Sequence, residues 1–247
     1  MLDSSEGKHV NIGALIFPRM DQHDFTGPFE VLSRIPNSTF HVIWKEKTPI
    51  RDVRGLILTP ECTLSEAPKL DLLVVPGGHG QEALMEDEAV IDFVRKQAGN
   101  ARYVLSVCTG ALICGAAGLL QGVKATTHWS ALHLLEYFGA IPVEARVVEH
   151  GKFISAAGVT AGLDGSLRVV SLLCNDRVAQ QIQLGIEYAP EPPYSCGTPG
   201  TASLEVLQTV QASTRAITQA RLATAERLAI QLGIRSSRTE KTRPVSG

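Results

Sequence analysis

The sequence lacks the features that would place it in a membrane or along a nucleic acid. Its 247 residues contain no uninterrupted apolar run near the roughly 18 residues that a membrane span needs. The first nine residues lack the apolar core of a signal peptide. Lysine and arginine total 23 against 25 for aspartate and glutamate, so no excess of positive charge is available to bind phosphates. We therefore expect a cytoplasmic protein with neither a membrane nor a nucleic-acid partner.

Cysteine is scarce and its spacing excludes two common roles. The chain has five cysteines, an odd number, and no CxxC pair, so neither a disulfide framework nor a zinc site is indicated. The patterns GxGxxG and GxxxxGK[ST] are also missing, which weakens any case for nucleotide binding. The cysteines are Cys62, Cys108, Cys114, Cys174 and Cys196.

The composition is that of a globular protein, with 44% hydrophobic and 19% charged residues. Short apolar runs typical of strands cover residues 10–17, 38–44, 71–75, 103–107 and 125–128. Helical spacing covers residues 25–32, 82–97, 111–120 and 129–138 and begins again near residue 160. Residues 145–148 and 153–156 suit a hairpin. The alternation predicts an α/β fold with a mostly parallel central sheet flanked by helices.

The C-terminal part differs from this core. Proline and glycine cluster over residues 189–200, which predicts an irregular surface segment. We expect an α/β domain over residues 1–201 and a helical extension over residues 202–235. That extension carries a loose apolar stripe, so it should pack on the core or on a dimer partner; a partner-binding helix is the alternative. Residues 236–247 are expected to be disordered.

Three turns should meet at one edge of the sheet. They cover residues 21–28, 76–80 and 108–110, and each follows the end of a predicted strand. In an open parallel sheet the carboxyl ends of the strands form the ligand crevice, because successive turns converge there. The residues of these turns are therefore the candidates for function.

Cys108 is the candidate nucleophile. Ser106–Gly110 places its thiol at a strand-to-helix turn between small residues, the arrangement of a nucleophile elbow. Helix amino-terminal N–H groups would favour the thiolate there. A buried, inert cysteine is the alternative. Cys114 and Cys174 fall within helical runs and are expected to be structural, and the remaining two cysteines lack a base nearby in the sequence.

Asp24 is the candidate proton carrier. It follows the first strand at the start of a helix, and a raised pKa in a semi-buried pocket would let it shuttle a proton. Capping of that helix is the alternative. Either His79 or His128 could also reach the site, although packing for His128 and exposure for His79 fit their contexts better.

The glycine turn is the candidate anion-stabilising element. Gly77 and Gly78 could present backbone N–H groups, and the Thr109 amide could complete an oxyanion-type pocket. A plain tight turn accounts for the same residues equally well.

Together these segments resemble a known family. The resemblance rests on Phe17–Pro18, Asp24–Pro28, Val75–Gly78, Ser106–Gly110 and Thr127–Trp129, and it runs from about Val10 to Thr201. The chain is similar to the isocyanide hydratases, which belong to the class I glutamine amidotransferase-like superfamily with intracellular protease I and the Parkinson-associated deglycase. The resemblance implies a flavodoxin-like three-layer sandwich and a homodimer.

The resemblance also implies a reaction, the hydration of an isocyanide R–N≡C to an N-substituted formamide. By that analogy Cys108 attacks the terminal carbon, Asp24 handles the proton, and water resolves a covalent thioimidate. Thr109 with Gly77 and Gly78 would orient and stabilise the intermediate. No metal or organic cofactor is implied, because the carbon is electrophilic once it is protonated.

Two departures narrow the choice within the superfamily. Thr109 stands where the intracellular proteases carry histidine, and Asp24 stands where the deglycases carry glutamate. A regulator is one alternative, but only about 45 residues follow the sensor-like region and no basic recognition helix is evident. A redox sensor in which Cys108 is oxidised to sulfinate is the other.

Overall fold

The computed structural model describes residues 8–234. The strands are β1 (Val10–Leu15), β2 (Ser38–Trp44), β3 (Ile50–Arg51), β4 (Ile57–Leu58), β5 (Cys62–Thr63), β6 (Leu72–Val75), β7 (Tyr103–Val107), β8 (Lys124–Ala125), β9 (Ile141–Pro142), β10 (Val147–His150) and β11 (Phe153–Ala156). The helices are α1 (His23–Leu32), α2 (Gln81–Leu84), α3 (Glu88–Asn100), α4 (Gly110–Ala116), α5 (Ala161–Leu173), α6 (Asp176–Gly185) and α7 (Leu204–Gln231), with a 3₁₀ helix over Trp129–Phe138.

Seven strands form the central sheet in the order β10-β11-β7-β6-β1-β2-β5. All neighbours pair in parallel except β10 and β11, which form the predicted antiparallel hairpin. Every residue of β6 is buried, as a strand covered by helices on both faces requires. The predicted α/β fold with a mostly parallel sheet is therefore confirmed.

The connections create a switch point between β1 and β6. The crossover from β1 through α1 to β2 steps one way across the sheet, and the crossover from β6 through α2 and α3 to β7 steps the other way. Right-handed crossovers that step in opposite directions put their helices on opposite faces of the sheet. In an open α/β sheet, ligands bind where such crossovers diverge, here at the carboxyl ends of β1, β6 and β7.

Several predicted boundaries were wrong for local reasons. The helix expected over residues 82–97 is two helices, because the Asp87 side chain accepts the Val90 N–H (3.3 Å) and starts α3 anew. The strand expected over residues 125–128 contributes only Ala125, in β8, because Thr126 and Thr127 bond to Ser155 and Cys108 instead. Helix α6, which begins after the Asn175 cap, was not predicted.

Helix α7 is the predicted C-terminal extension. Ser203 caps it by accepting the Val206 N–H at 3.4 Å. The helix packs on the 3₁₀ helix and α2, its first half is largely exposed, and its buried residues lie in its second half. The buried residues of that half are Arg221, Thr224, Ala225, Leu228 and Ala229. The predicted disordered tail lies outside the described residues, within which no helix has the length and apolar character to cross a membrane.

Candidate active site

The three predicted turns lie together at the crevice. Gly77 packs so closely on the start of α4 that a Cβ atom there would lie 2.5 Å from the Thr109 backbone nitrogen and 2.6 Å from its Oγ1. The Asp21 N–H donates to the Gly77 carbonyl at 3.0 Å, which joins the turn after β1 to the turn after β6. Cys108 follows β7 beside them. The topology thus brings the turns after β1, β6 and β7 into contact.

Cys108 lies on a strained elbow between β7 and α4. Its φ of 53° is in the left-handed region, which costs a residue other than glycine about 1–3 kcal/mol. Two hydrogen bonds hold the elbow: the Cys108 N–H donates to the Ala156 carbonyl (2.9 Å), and the Thr127 hydroxyl donates to the Cys108 carbonyl (2.6 Å). The thiol is buried, with 7% of the residue exposed.

Asp24 faces the elbow from α1 and is fully buried. Its Oδ2 accepts the Gly77 N–H at 2.9 Å, whereas Oδ1 has no hydrogen bond of ordinary geometry within the described chain. The Cys108 thiol is close enough to interact with the carboxyl group. Asp24 does not cap α1, because the cap position is Gln22. The carboxyl group of Asp24 instead accepts the Gly77 N–H. The capping alternative is therefore wrong.

Burial controls the protonation of Asp24. Loss of hydration raises the pKa of its carboxyl group to about 8, with a further contribution from the nearby charge of Asp21, while the Gly77 hydrogen bond acts in the opposite direction. Asp24 therefore carries a proton at neutral pH, which is the state a general acid needs.

Burial also dominates at Cys108, against the expectation of a thiolate. Desolvation, and then the nearby Asp24, raise the pKa of the thiol well above its ordinary value. The Thr109 N–H at the start of α4 hydrogen-bonds the sulfur and lowers that pKa, but by less. The structure therefore favours a protonated thiol over the expected thiolate.

The two glycine amides are already occupied. Gly77 donates to Asp24, and Gly78, with φ +117°, donates to the Thr109 Oγ1 at 3.1 Å. In this arrangement the glycine turn holds the carboxyl group and the threonine hydroxyl in place. That the amides of Gly77, Gly78 and Thr109 stabilise a developing anion stays a prediction.

The histidines have other positions. His128 accepts the Ser130 N–H and starts the 3₁₀ helix, and burial lowers its pKa so that it is neutral. His79 is half-buried rather than exposed, with its pKa lowered by burial. Among the hydrogen bonds of the described chain, neither bonds to Cys108 or Asp24.

The remaining cysteines lie away from this chemistry. Cys114 is buried in α4, where loss of hydration raises the pKa of its thiol to about 12, as suits a structural residue. Cys174 was expected inside a helix but lies at the end of α5 and is exposed. Cys62 is half-buried in β5, and Cys196 is exposed.

One residue of the site was missed from the sequence. Arg221 of α7 is only 5% exposed and reaches the glycine turn, where its Nη2 donates to the Gly78 carbonyl at 2.7 Å. The same nitrogen lies 3.4 Å from the Thr109 Oγ1, and Nε donates to the Gln81 Oε1 at 3.0 Å. The only trace in the sequence is an arginine among small and apolar residues of the predicted helical extension.

These features define a class of protein: an α/β fold with a cysteine on a strained strand-to-helix turn, beside a buried acid at the switch point of the sheet. The chain belongs to the DJ-1/PfpI family, whose model matches residues 10–172.

Individual relatives extend the match beyond that model. The isonitrile hydratase of Pseudomonas putida is 46% identical over 228 residues, which cover 92% of this chain and 99% of that protein. A THiJ/PfpI family protein from Pseudomonas syringae superposes with a TM-score of 0.86 at 37% identity, over 88% of this chain and 91% of its own. Drosophila melanogaster DJ-1beta shares the fold alone, with a TM-score of 0.67 at 21% identity over 74% of this chain and 100% of its own. The predicted resemblance and fold class are confirmed.

Proposed function

We propose that this protein is an enzyme that hydrates isocyanides, converting R–N≡C and water to an N-substituted formamide. The observation that carries the proposal is the buried pair of Cys108 and Asp24 at the elbow, in a chain 46% identical over 228 residues to an isonitrile hydratase. A small-molecule substrate fits a site in which Cys108 and Asp24 are both buried. The analogy gives no reason to invoke a cofactor.

The first step uses both protons of the pair. Asp24 donates its proton to the terminal carbon of the isocyanide, which makes that carbon electrophilic, and the Cys108 sulfur forms a bond to it. The thiol proton passes to Asp24 as the sulfur attacks. The product is a thioimidate, R–N=CH–S–Cys108, and Asp24 is protonated again.

The second step resolves the thioimidate with water. The water oxygen bonds to the carbon while one water proton reaches the nitrogen, with Asp24 as the carrier. The C–S bond then breaks, the C=O bond forms, and the hydroxyl proton returns to Cys108. One water has been added to the isocyanide, and the enzyme has regained its starting protons.

Each neighbouring group has a role in keeping this geometry. Gly77 fixes one carboxyl oxygen of Asp24, and within residues 8–234 the other oxygen, Oδ1, has no hydrogen bond of ordinary geometry. The carboxyl group interacts with the nearby Cys108 thiol, so it is available to carry a proton. The Thr109 N–H supports negative charge on the sulfur. Thr127 prevents the elbow from relaxing, since it holds the Cys108 carbonyl.

The test mixes the purified protein with cyclohexyl isocyanide and measures formamide and intact protein mass together. Cys108→Ala should fold and yield neither product nor adduct, because the covalent step has no substitute. Cys114→Ala is the matched control, since it removes a buried thiol of α4 outside the site and should keep turnover. No formamide and no adduct from the unaltered protein would refute the proposal, and an adduct without turnover would favour a sensor.

Assembly and location stay predictions. The expected homodimer rests on the family resemblance, since the structure is of a single chain. Light scattering on the purified protein measures it directly. The cytoplasmic location and the absence of a nucleic-acid partner are expectations of the same kind.

A further inference from the structure

Arg221 is a buried charge without an ordinary partner. Its guanidinium group is almost fully enclosed, and within residues 8–234 no carboxylate forms an ion pair with it. An enclosed cation is destabilising unless a negative charge or strong acceptors compensate it. Its acceptors are all neutral: the Gly78 carbonyl, the Gln81 side-chain oxygen and the Thr109 hydroxyl. A full negative charge is therefore missing from its immediate contacts.

The negative charges that act on Arg221 are those of the reacting pair and of Glu82 in α2, whose carboxylate accepts the Thr224 hydroxyl. The charge of Arg221 acts on both Cys108 and Asp24 and lowers the pKa of each. It also lowers the pKa of the neighbouring His79 and His128.

In the proposed first step, Asp24 gives its own proton to the substrate and takes the proton of the Cys108 thiol. The pair of Asp24 and the resulting thiolate then carries one net negative charge. A buried cation next to such a pair compensates its negative charge.

Helix α7 is fastened to the same part of the site. One turn beyond Arg221, the Thr224 hydroxyl donates to Glu82 of α2 at 2.5 Å. Further along, both Nε and Nη2 of Arg227 bond to the Glu86 carboxylate, at 2.9 and 2.8 Å. Three residues of one helix therefore hold the segment that directly follows the glycine turn, and only Arg221 continues into the site.

Arg221 also lies outside the part of the chain that defines the family. The family model ends at residue 172. The match to the isonitrile hydratase of Pseudomonas putida covers 228 of the 247 residues. Because 26 residues follow Arg221, the match cannot end before it. That match therefore includes position 221.

We propose that Arg221 is a positioning residue of the active site, which holds the Gly78 carbonyl and the Thr109 hydroxyl together and compensates the negative charge shared by Cys108 and Asp24. The C-terminal helix then completes the active site of its own chain. Two experiments test this inference. The electrostatic arm measures the reactivity of Cys108 and does not depend on the proposed function, whereas the turnover arm rests on that function.

The electrostatic arm measures alkylation of Cys108 by iodoacetamide as a function of pH, followed on the peptide that contains Cys108. Arg221→Gln keeps a hydrogen-bonding side chain but removes the charge. It should raise the midpoint of alkylation by about one pH unit and slow the reaction at pH 7 by about tenfold. Arg221→Lys keeps the charge and should leave the midpoint close to that of the unaltered protein.

The turnover arm separates binding from chemistry. Arg221→Gln and Arg221→Lys should both lower kcat and leave KM for cyclohexyl isocyanide nearly unchanged, because the proposed role of Arg221 is to support the reacting pair and not to bind substrate. A lysine cannot hold two acceptors as the planar fork of arginine does. Arg227→Gln is the matched control. It loosens α7 from α2 at an exposed ion pair and should lower the melting temperature without moving the alkylation midpoint.

An unchanged midpoint in Arg221→Gln, or an equal rise in Arg227→Gln, would overturn the proposal in favour of simple helix docking. If Arg221→Gln does not fold, an Arg221→Lys protein with unaltered kcat would overturn it equally. If the unaltered protein produces no formamide, the proposed function fails, and the alkylation midpoints still decide the role of Arg221.

Discussion

Replacing Asp24 with asparagine should stabilise the fold near neutral pH and at the same time remove most turnover. Asparagine has the same shape and can still accept the Gly77 N–H. It cannot ionise, so it cannot carry the proton that the proposed mechanism needs. Proton transfer by a positioned side chain contributes about 10²–10⁴-fold, so formamide production should fall by that factor.

The stabilisation follows from the direction of the pKa shift. The carboxyl pKa is about 8 in the folded protein and 3.8 in its ordinary state. The folded state therefore holds this proton more tightly than the unfolded state, and the resulting stability is complete below pH 4 and is lost as the pH rises to 8. Between the two pKa values the loss is about 1.4 kcal/mol per pH unit.

This slope gives a measurable difference. From pH 5 to pH 7 the unaltered protein should lose about 3 kcal/mol through Asp24, which corresponds to a fall in Tm of about 5–10 °C for a chain of this size. Asp24→Asn should lack this contribution. Other groups titrate equally in both proteins, so the difference between the two pH profiles isolates Asp24.

The assay is thermal unfolding at pH 5, 6, 7 and 8 together with formamide production. Asp52→Asn is the control, because Asp52 is also buried but accepts the N–H groups of Arg54 and Leu56 in a turn outside the site. It should keep turnover. Parallel pH profiles of the unaltered protein and Asp24→Asn, or a loss of stability at pH 7 in that variant, would refute the reasoning.

Two further predictions concern the elbow. The melting temperature of Cys108→Gly should be about 2–4 °C above that of Cys108→Ala, because glycine adopts the φ of 53° without the steric cost that alanine retains. Equal melting temperatures would show that the elbow is not strained. Thr127→Val should lose about 1–3 kcal/mol of unfolding free energy in chemical denaturation and most of its kcat, because the buried Cys108 carbonyl loses its donor. The control Thr126→Val should keep kcat, and equal kcat losses in both variants would refute a specific role for Thr127.

The architecture was readable from the sequence because its determinants are local. The apolar runs that became β1, β6 and β7 are bounded by turn residues within the chain, and a parallel sheet follows from their alternation with helices. Cys108 was selected as a candidate for the same reason, since a thiol between small residues at a strand end is a pattern of five consecutive positions. Asp24 was selected by its place after the first strand, and the structure places the two side chains next to each other.

Local patterns were less informative where side chains compete for backbone groups. Asp87 divides the helix predicted over residues 82–97 by capping α3, and Cys174 lies exposed at the end of a helix that was expected to enclose it. Both outcomes depend on where a helix ends, and helix ends are set by one or two hydrogen bonds.

By itself the sequence determined the alternation of the core strands β1, β2, β6 and β7 with helices, the hairpin of β10 and β11, and the two side chains that we propose for the chemistry. Only the tertiary structure decided their charge states, because burial rather than the helix terminus controls the pKa of Cys108 and Asp24, and burial depends on the whole fold. It also decided the place of Arg221, which lies 112 residues from Thr109 in sequence and 3.4 Å from its hydroxyl in space. No local pattern specifies such a contact, since packing of α7 on a distant turn creates it.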